Sequence, residues 1–250
     1  MRYILILILL MSGMASAFGA QVALIIDDIG YRPTDKAVLS LPAGVTLSVL
    51  PHTPIGAELA KQAHAKGHEI MLHLPMQALN GKKLGPGGLT NQMDEVEIKQ
   101  EISSALASIP YVKGANNHMG SLLTQIEQPM NWVMEALKQN QLYFVDSVTT
   151  KYTRAGKQAD VIGVPLLTRQ LFLDNDTREA ALEKQFNRMI AKAHQLGHLV
   201  AIAHPHPDTI AYLRANLSRL EQEGISLVPA SSLLPYELAK KQGISPEIPL

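Results

Sequence analysis

Short apolar runs alternate with longer amphipathic segments along most of the chain. The first run, 22–26, is too short and too rich in β-branched residues for a helix, and it favours a strand buried on both faces. Similar runs bounded by Gly, Pro, Asn or Asp predict further strands. The predicted strands are 22–28, 45–51, 69–75, 112–120, 142–147, 198–204 and 225–228, with a less regular one within 161–173.

The segments between these runs predict helices with recognisable ends. Thr34 is expected to cap the first helix, and Gly67 and Gly197 are expected to end two others. The predicted helices are 34–41, 55–66, 94–109, 129–141, 177–196 and 207–223. The Gly-rich stretch 77–91 predicts either a binding rim or a surface loop. A short loop is expected at 156–158 and a loose polar tail at 236–250.

The continuous alternation of strands and helices predicts an α/β fold, a single barrel of about seven strands over 21–235. A dinucleotide-binding sheet is disfavoured because no G-x-G-x-x-G follows the first strand. The length would also fit two small domains. Since no Pro-rich or Ser-rich linker interrupts the pattern, one domain is the simpler interpretation.

Residues 1–20 predict a secretory signal peptide that lies outside the fold. The basic residue Arg2 is followed by the apolar stretch 3–11 and by the small residues Ala15-Ser16-Ala17. Cleavage is expected after Ala17, with a cut after Gly19 as the alternative. The apolar stretch is shorter than the ~20 residues that span a bilayer, so an uncleaved anchor is less favoured. The mature chain is therefore expected to be exported without a membrane anchor, into the periplasm if the source is Gram-negative.

The composition excludes several classes of function. The chain has no cysteine, so any zinc site must use His, Asp or Glu. Lys+Arg and Asp+Glu are balanced at 22 each and no basic run is present, which argues against nucleic acid as a partner. Trp132 is the only Trp, which excludes a sugar-binding groove built on many stacked Trp residues.

Several polar residues follow the apolar strands at their carboxyl ends. They are Asp27, Asp28, His73, His118, Asp146 and His204. Because the carboxyl ends of barrel strands meet at one face, we expect these side chains to converge there. Four other histidines lie at the amino ends of strands and are expected to be surface or structural residues. They are His64, His68, His194 and His198.

Two adjacent carboxylates repel each other, so Asp27 and Asp28 require a positive partner. A metal ion is the leading candidate, and the alternative is a turn in which one Asp caps the next helix. One Asp and two His suit zinc, with a second carboxylate as base and a histidine as acid. A serine hydrolase is disfavoured because the chain has no G-x-S-x-G motif.

The segments that carry these residues resemble the motifs of divergent polysaccharide deacetylases, an exported branch of the NodB-like carbohydrate esterases. The resemblance covers 21–235. The segment 25–30, which contains Asp27-Asp28, resembles the first motif. The segment 67–73 resembles the start of the second motif, and 199–204 resembles the last. The resemblance implies a NodB-like distorted (β/α) barrel that removes an acyl group from an N-acetylated envelope glycan at a zinc site.

The resemblance also implies a role for each of these residues. Asp27 would be the base, Asp28 and His73 metal ligands, and His204 the general acid. Asp146 resembles the Asp that orients the catalytic histidine.

Two departures from the family pattern affect the site. Gln77 stands where the second motif has another His, and the loop 116–121 has no Arg. We infer that His118 replaces the missing ligand. Asn117 and His206 are the candidate substrate contacts. The alternative for His206, which the sequence favours, is that it only begins the helix that starts at Pro207.

The leading interpretation is therefore a zinc-dependent deacetylase with a glycan or peptidoglycan-like substrate. A barrel without catalytic activity that binds a glycan or a protein is the competing interpretation. A third is a metal hydrolase that acts on a different bond, such as an ester. The sequence specifies neither the sugar, the acyl group nor the oligomeric state.

Overall fold

The computed structural model describes residues 19–241, in which a sheet of parallel strands is packed against helices. The strands are β1 (Gln21–Ile29), β2 (Thr46–Val49), β3 (Ile70–Met76), β4 (Val112–Met119), β5 (Tyr143–Asp146), β6 (Leu166–Thr168), β7 (Leu171–Phe172), β8 (His198–Ala203) and β9 (Ser226–Leu227). The helices are α1 (Gly56–Ala65), α2 (Glu95–Ser108), α3 (Glu127–Gln139), α4 (Ala155–Ile162), α5 (Glu179–Leu196), α6 (Pro207–Asn216), α7 (Ser218–Gln222) and α8 (Leu234–Lys241). Short 3₁₀ helices lie at Pro33–Ser40, Leu123–Gln125 and Ala230–Leu233.

The described strands follow the order β6-β5-β4-β3-β2-β1-β8-β7, and β9 pairs with the start of β1. Neighbouring strands pair in parallel along this order. The sheet forms an open barrel whose two edges are β6 and β7, so the predicted α/β barrel is confirmed. The region 161–173 was expected to hold one strand and instead contains both edges.

Alternate positions along the strands face two separate cores. On β1, Leu24 and Ile26 belong to the outer core beneath the helices, whereas Ala23 and Ile25 face the barrel interior. The inner core also contains Met71, Tyr143, Val145, Leu167, Val200, Ile202, Ala230 and Leu233. The backbone N–H of Ala230 donates to the Thr46 hydroxyl at the start of β2. The segment Ala230–Leu233 therefore closes the amino end of the barrel, and polar side chains occupy the opposite end.

Some helix predictions differ from the structure. The predicted helix 34–41 is the 3₁₀ helix Pro33–Ser40, which starts at a proline rather than at a Thr34 cap. The predicted short loop 156–158 lies inside α4. The predicted helix 207–223 is divided near Leu217 into α6 and α7. The other predicted helices correspond to α1, α2, α3 and α5.

The predicted terminal segments lie largely outside the described residues. The tail expected at 236–250 begins inside α8, so 236–241 are helical and the rest is not described. The signal peptide predicted at 1–20 falls almost entirely outside the described range. Within 19–241, none of the helices combines the length and the apolar character needed to cross a bilayer.

Candidate active site

The inward-facing rows of the barrel end in polar side chains at the carboxyl ends of the strands. Asp27 continues the inward row of β1, and His73 continues that of β3. Asn116 and His118 share one face of β4, where Asn116 lies opposite His73. His204 follows the inward row of β8. Because alternate residues of a strand share a face, these side chains meet above the inner core.

A distortion at the end of β1 brings the second aspartate onto the same side. Adjacent residues of a regular strand point to opposite faces, so Asp27 and Asp28 would be separated. Asp28 has a φ of +59°, and the register between β1 and β2 shifts between Ile26 and Ile29. Asp tolerates this left-handed backbone better than most residues. The bulge turns the Asp28 carboxylate towards His73.

Asp28, His73 and His118 form the candidate metal site. Asp28 Oδ1 lies 3.0 Å from His73 Nε2 and 2.7 Å from His118 Nδ1. The two nitrogens are 3.2 Å apart. Atoms that ligate zinc at about 2.0–2.1 Å with tetrahedral angles lie about 3.3 Å from one another. The three donors therefore fit one face of a zinc site, and the structure brings together the residues predicted as ligands.

A buried asparagine sets the orientation of His73. The Asn116 amide N–H donates to Asp27 Oδ1 at 2.7 Å, which directs its oxygen towards Ser48 and His73. That oxygen accepts from the Ser48 hydroxyl at 2.6 Å and from His73 Nδ1 at 2.7 Å. Because Asn116 holds a proton on Nδ1, Nε2 is the nitrogen that gives up its proton and presents a lone pair when a metal binds.

The two aspartates have opposite pKa shifts. Burial raises the pKa of Asp27, although nearby histidines and the hydrogen bond from Asn116 oppose this. For Asp28, burial is outweighed by hydrogen bonds from the two ligand histidines, which hold its pKa below the usual range. Asp28 is therefore suited to remain an ionised ligand, whereas Asp27 takes up a proton more readily.

His204 forms a hydrogen-bonded pair with Asp174. Its Nδ1–H donates to Asp174 Oδ1 at 3.0 Å and its backbone N–H donates to Oδ2 at 2.7 Å. Burial disfavours the charged ring, but the bond to Asp174 and the charges of Asp174, Asp27 and Asp28 outweigh it. They raise the pKa of His204 to about 9. The ring is therefore protonated at neutral pH.

The structure contradicts the role expected for Asp146. Val145 belongs to the inner core, so Asp146 lies on the opposite face of β5. Its carboxylate accepts the backbone N–H of Val148 at 2.8 Å and holds the loop after β5. Asp174 contacts His204 instead, because it follows β7, the direct neighbour of β8. Sequence reasoning missed Asp174 although it follows a predicted strand.

The substrate contact expected for Asn117 is also not supported. Asn117 is 1% exposed and lies on the face of β4 opposite to His118. Its amide N–H donates to the Met119 carbonyl at 2.7 Å, and its oxygen accepts the Ser147 N–H at 2.9 Å. Asn117 therefore joins the loops after β4 and β5 rather than facing the cleft.

A cleft of about 300 Å³ lies beside the candidate metal site, lined in part by Asp28, His118, His204 and His206. The His206 ring is centred 5.9 Å from that of His204, and the same residue precedes α6 as its cap. Asp174, His204 and His206 form a second group of close potential ligands. Because His204 Nδ1 donates to Asp174, we assign the Asp174–His204 pair of this group to proton transfer.

Arg169 is a further charged residue near the site that sequence reasoning missed. Its guanidinium donates to the carbonyls of Ser147 at 2.6 Å and Val148 at 2.9 Å. Burial lowers the pKa of Arg169, while the charges of Asp146 and Asp27 act in the opposite direction. The Arg169 charge therefore lies within electrostatic range of Asp27, although the loop after β4 has no Arg. Its position after β6, at the carboxyl end of a strand, was the available signal.

The histidines at the amino ends of the strands lie away from the cleft. His68 is buried and bonds to a backbone carbonyl at 2.9 Å. His198 pairs with Glu237 at 2.8 Å. His64 and His194 are exposed. These contacts agree with the surface and structural roles expected for them.

Comparison with known proteins identifies the family. The model for divergent polysaccharide deacetylases matches residues 24–234. The chain belongs to this family. It is 41% identical to the uncharacterized Escherichia coli protein YibQ over 234 residues, which are 93% of this chain and 73% of that protein.

Two solved structures of other proteins share the fold of this chain. Uncharacterized protein ATU2773 from Agrobacterium tumefaciens has a TM-score of 0.83 at 23% identity, covering 88% of this chain and 91% of that one. BA3943 from Bacillus anthracis, a CE4 family pseudoenzyme, has a TM-score of 0.52 at 13% identity, covering 86% and 66%. These similarities confirm the expected NodB-like fold.

Gln77 has a structural role at the position where the family's second motif carries another His. Its side-chain oxygen accepts the N–H of Asn91 at 2.8 Å, and its backbone N–H donates to Leu89 at 2.9 Å. Gln77 thus ties together the two ends of the loop 77–91. The third donor near Asp28 comes from His118 on the neighbouring strand.

Proposed function

We propose that this chain is a zinc-dependent hydrolase that removes acetyl groups from an N-acetylated glycan of the bacterial envelope. One observation carries the proposal: three metal donors, the buried carboxylate of Asp27 and a histidine paired with Asp174 meet at one end of the barrel. Each feature alone also occurs in structural settings. Metal-assisted hydrolysis of an amide uses all of them together.

The candidate metal site fits the ion that the family implies. Asp28, His73 and His118 would hold zinc, which when bound lowers the pKa of a water ligand and polarises the substrate carbonyl. Asn116 already fixes the His73 tautomer that ligation requires. The partial exposure of Asp28 and His118 leaves the open side of the site facing the cleft.

Asp27 is the proposed general base. Its Oδ1 lies 3.7 Å from His73 Nδ1 and accepts the Asn116 amide, which fixes the carboxylate beside the ligands. Burial raises the pKa of Asp27, so it accepts a proton from an attacking water more readily than an exposed carboxylate does.

His204 is the proposed general acid. The bond to Asp174 fixes a proton on Nδ1, and a pKa of about 9 keeps the ring doubly protonated at neutral pH. The ring can therefore give its Nε2 proton to the amine as the C–N bond breaks. An amide nitrogen is a poor leaving group until it is protonated, so the reaction depends on this donor.

The family and the cleft support the proposed substrate, and the pattern at 1–20 supports the proposed location. A cleft of about 300 Å³ is at the lower end of small-molecule sites and suits a single acylated sugar residue of a longer chain. The pattern at 1–20 supports export, so we propose that the reaction takes place in the periplasm if the source is Gram-negative.

A glycan-binding barrel without catalytic activity is the second candidate. The similarity to the pseudoenzyme BA3943 and the replacement of a motif His by Gln77 favour it. The two candidates predict different results for release of acetate, while both allow binding of a glycan.

Release of acetate by the zinc-loaded mature chain separates them. With tetraacetylchitotetraose or purified peptidoglycan as substrate, the wild type is expected to release acetate. Asp27→Asn should lower turnover about 10²–10⁴-fold and still bind zinc. Glu221→Gln makes the same chemical change on the exposed surface of α7 and should keep full activity.

Two results would contradict this proposal. Glycan binding without acetate release by the zinc-loaded wild type would establish the binding barrel instead. Unchanged turnover in Asp27→Asn would overturn the assignment of the base.

A further inference from the structure

Asp35 has a carboxylate oxygen without a partner in the wall of the cleft. It lies in the 3₁₀ helix Pro33–Ser40 and is only 1% exposed, yet it lines the same cleft as His118 and His204. Within the described residues, three buried side-chain polar atoms lack a hydrogen-bond partner, and Asp35 Oδ1 is the one from a residue of the cleft. A buried acceptor without a donor is costly, so this atom requires an explanation.

The other oxygen of Asp35 fixes the carboxylate in place. Oδ2 accepts the backbone N–H of Gly30 at 2.9 Å and that of Arg32 at 3.0 Å. Two bonds to the backbone set the plane of the carboxylate, and with it the direction of Oδ1. An acceptor held in this way loses little conformational freedom when a ligand donates to it.

The surroundings of Asp35 favour a neutral hydroxyl donor. Arg32 lines the same cleft and offsets the negative charge of Asp35, while the Asp28 carboxylate there already has two histidine partners, so a neutral donor suffices. Tyr31, 47% exposed, presents an aromatic ring, and Leu50 and Pro205 add apolar surface. A ligand with an apolar ring face and hydroxyl groups at its edge matches this combination.

We infer that Asp35 recognises a hydroxyl group of the sugar that is bound in the cleft. The inference rests on the proposed function, because it takes the ligand to be an N-acetylated glycan. Asp35 thus contributes to the choice of sugar, while Asp27 and His204 act on the acyl group.

Isosteric replacement of Asp35 tests the inference. Asparagine can keep an oxygen towards Gly30 and Arg32, and it replaces the unpartnered acceptor by a donor. Binding of tetraacetylchitotetraose is measured by calorimetry on zinc-loaded Asp27→Asn protein, in which hydrolysis is blocked. Adding Asp35→Asn should weaken binding about 10- to 100-fold, whereas adding Glu221→Gln should leave it unchanged.

Substrate analogues test the same contact without relying on how the variant folds. Methyl glycosides of N-acetylglucosamine that lack the 3- or the 6-hydroxyl are titrated against the Asp27→Asn protein. One of them should bind about tenfold more weakly than the parent sugar, and Asp35→Asn should remove that difference.

The outcomes separate this inference from the proposed function. Equal binding of all analogues, equal binding with and without Asp35→Asn, or no glycan binding at all would overturn the role of Asp35. Binding that depends on Asp35 in a wild-type protein that releases no acetate would support the inference and reject the proposed hydrolysis. Zinc content and melting temperature identify a variant that fails to fold. In that case the titration of the analogues against the Asp27→Asn protein decides whether a single hydroxyl is recognised.

Discussion

Asp174 binds both the side chain and the backbone of His204. The ring Nδ1 lies 3.0 Å from Asp174 Oδ1 and the backbone nitrogen lies 2.7 Å from Oδ2. Two bonds between the same pair of residues fix both the position and the tautomer of the imidazole. The pair is formed by neighbouring parallel strands, since Asp174 follows β7 and His204 follows β8.

Removal of the Asp174 charge should shift the pH dependence of activity. His204 acts in its protonated form, and Asp174 helps to raise its pKa to about 9, so activity should fall as the pH rises through that value. In Asp174→Asn the pKa of His204 falls, and the alkaline limb of kcat should move down by about one pH unit or more. The measurement is kcat against pH.

Asp176→Asn provides the matched control for this change. Asp176 is a nearby carboxylate that pairs with Arg178 rather than with His204. Its replacement should leave the alkaline limb in place. An alkaline limb that does not move in Asp174→Asn would show that His204 is not the acid.

Replacement of His118 tests the ligand that differs from the family pattern. Because its Nδ1 lies 2.7 Å from Asp28 Oδ1, His118→Ala should remove one of three donors and weaken zinc binding by at least about 100-fold. Competition with a chelating dye measures the Kd. His64→Ala, at an exposed histidine stacked on Tyr111, should bind zinc like the wild type. Full zinc affinity in His118→Ala would leave His118 as a substrate-side residue.

Replacement of Asn116 tests the control of the His73 tautomer. Asn116→Ala removes the acceptor of the His73 Nδ1 proton and the donor to Asp27. Zinc affinity should fall about 10- to 100-fold even though no ligand is lost. Asn131→Ala, on α3 and bonded to Glu135, serves as control. An unchanged Kd would mean that His73 needs no fixed tautomer.

Val148 allows a test of backbone strain near the site. It is a β-branched residue with a φ of +47°, a region in which such residues are rare. Val148→Gly should relieve this strain and raise the free energy of unfolding by about 1 kcal/mol after the entropic cost of glycine. Val161→Gly, in α4, should instead lower it by about 1 kcal/mol. Denaturant titration measures the free energy of unfolding of both variants. A lower value for Val148→Gly than for the wild type would show that the Val148 backbone is not strained.

The sequence was sufficient to predict the class of fold and most of the side chains that meet at the candidate site. Strands buried on both faces give near-continuous apolar runs, and their carboxyl ends identified Asp28, His73, His118 and His204. Side chains alternate between the inward and outward faces within each strand, and this alternation shows which strand-end residues face the barrel interior. Because Val145 faces the inner core, the next residue, Asp146, must lie on the outward face of its strand.

Other features depended on contacts that no local pattern encodes. The edge strands β6 and β7 are too short for a clear alternation of apolar and polar residues, so the sequence of 161–173 did not separate them. Asp174, which follows β7, was missed for the same reason. The left-handed backbone of Asp28 breaks the alternation in a way that only the shifted register reveals. The acceptor without a partner at Asp35 is visible only once its neighbours are in place.

The candidate metal ligands and the partner of His204 come from different parts of the sheet. Asp28, His73 and His118 come from β1, β3 and β4, which have neighbours on both sides, whereas Asp174 follows the two-residue edge strand β7. Edges of a sheet open at lower free energy than its middle. On warming, the Asp174–His204 pair should therefore loosen first, so that heat inactivation precedes the release of bound zinc.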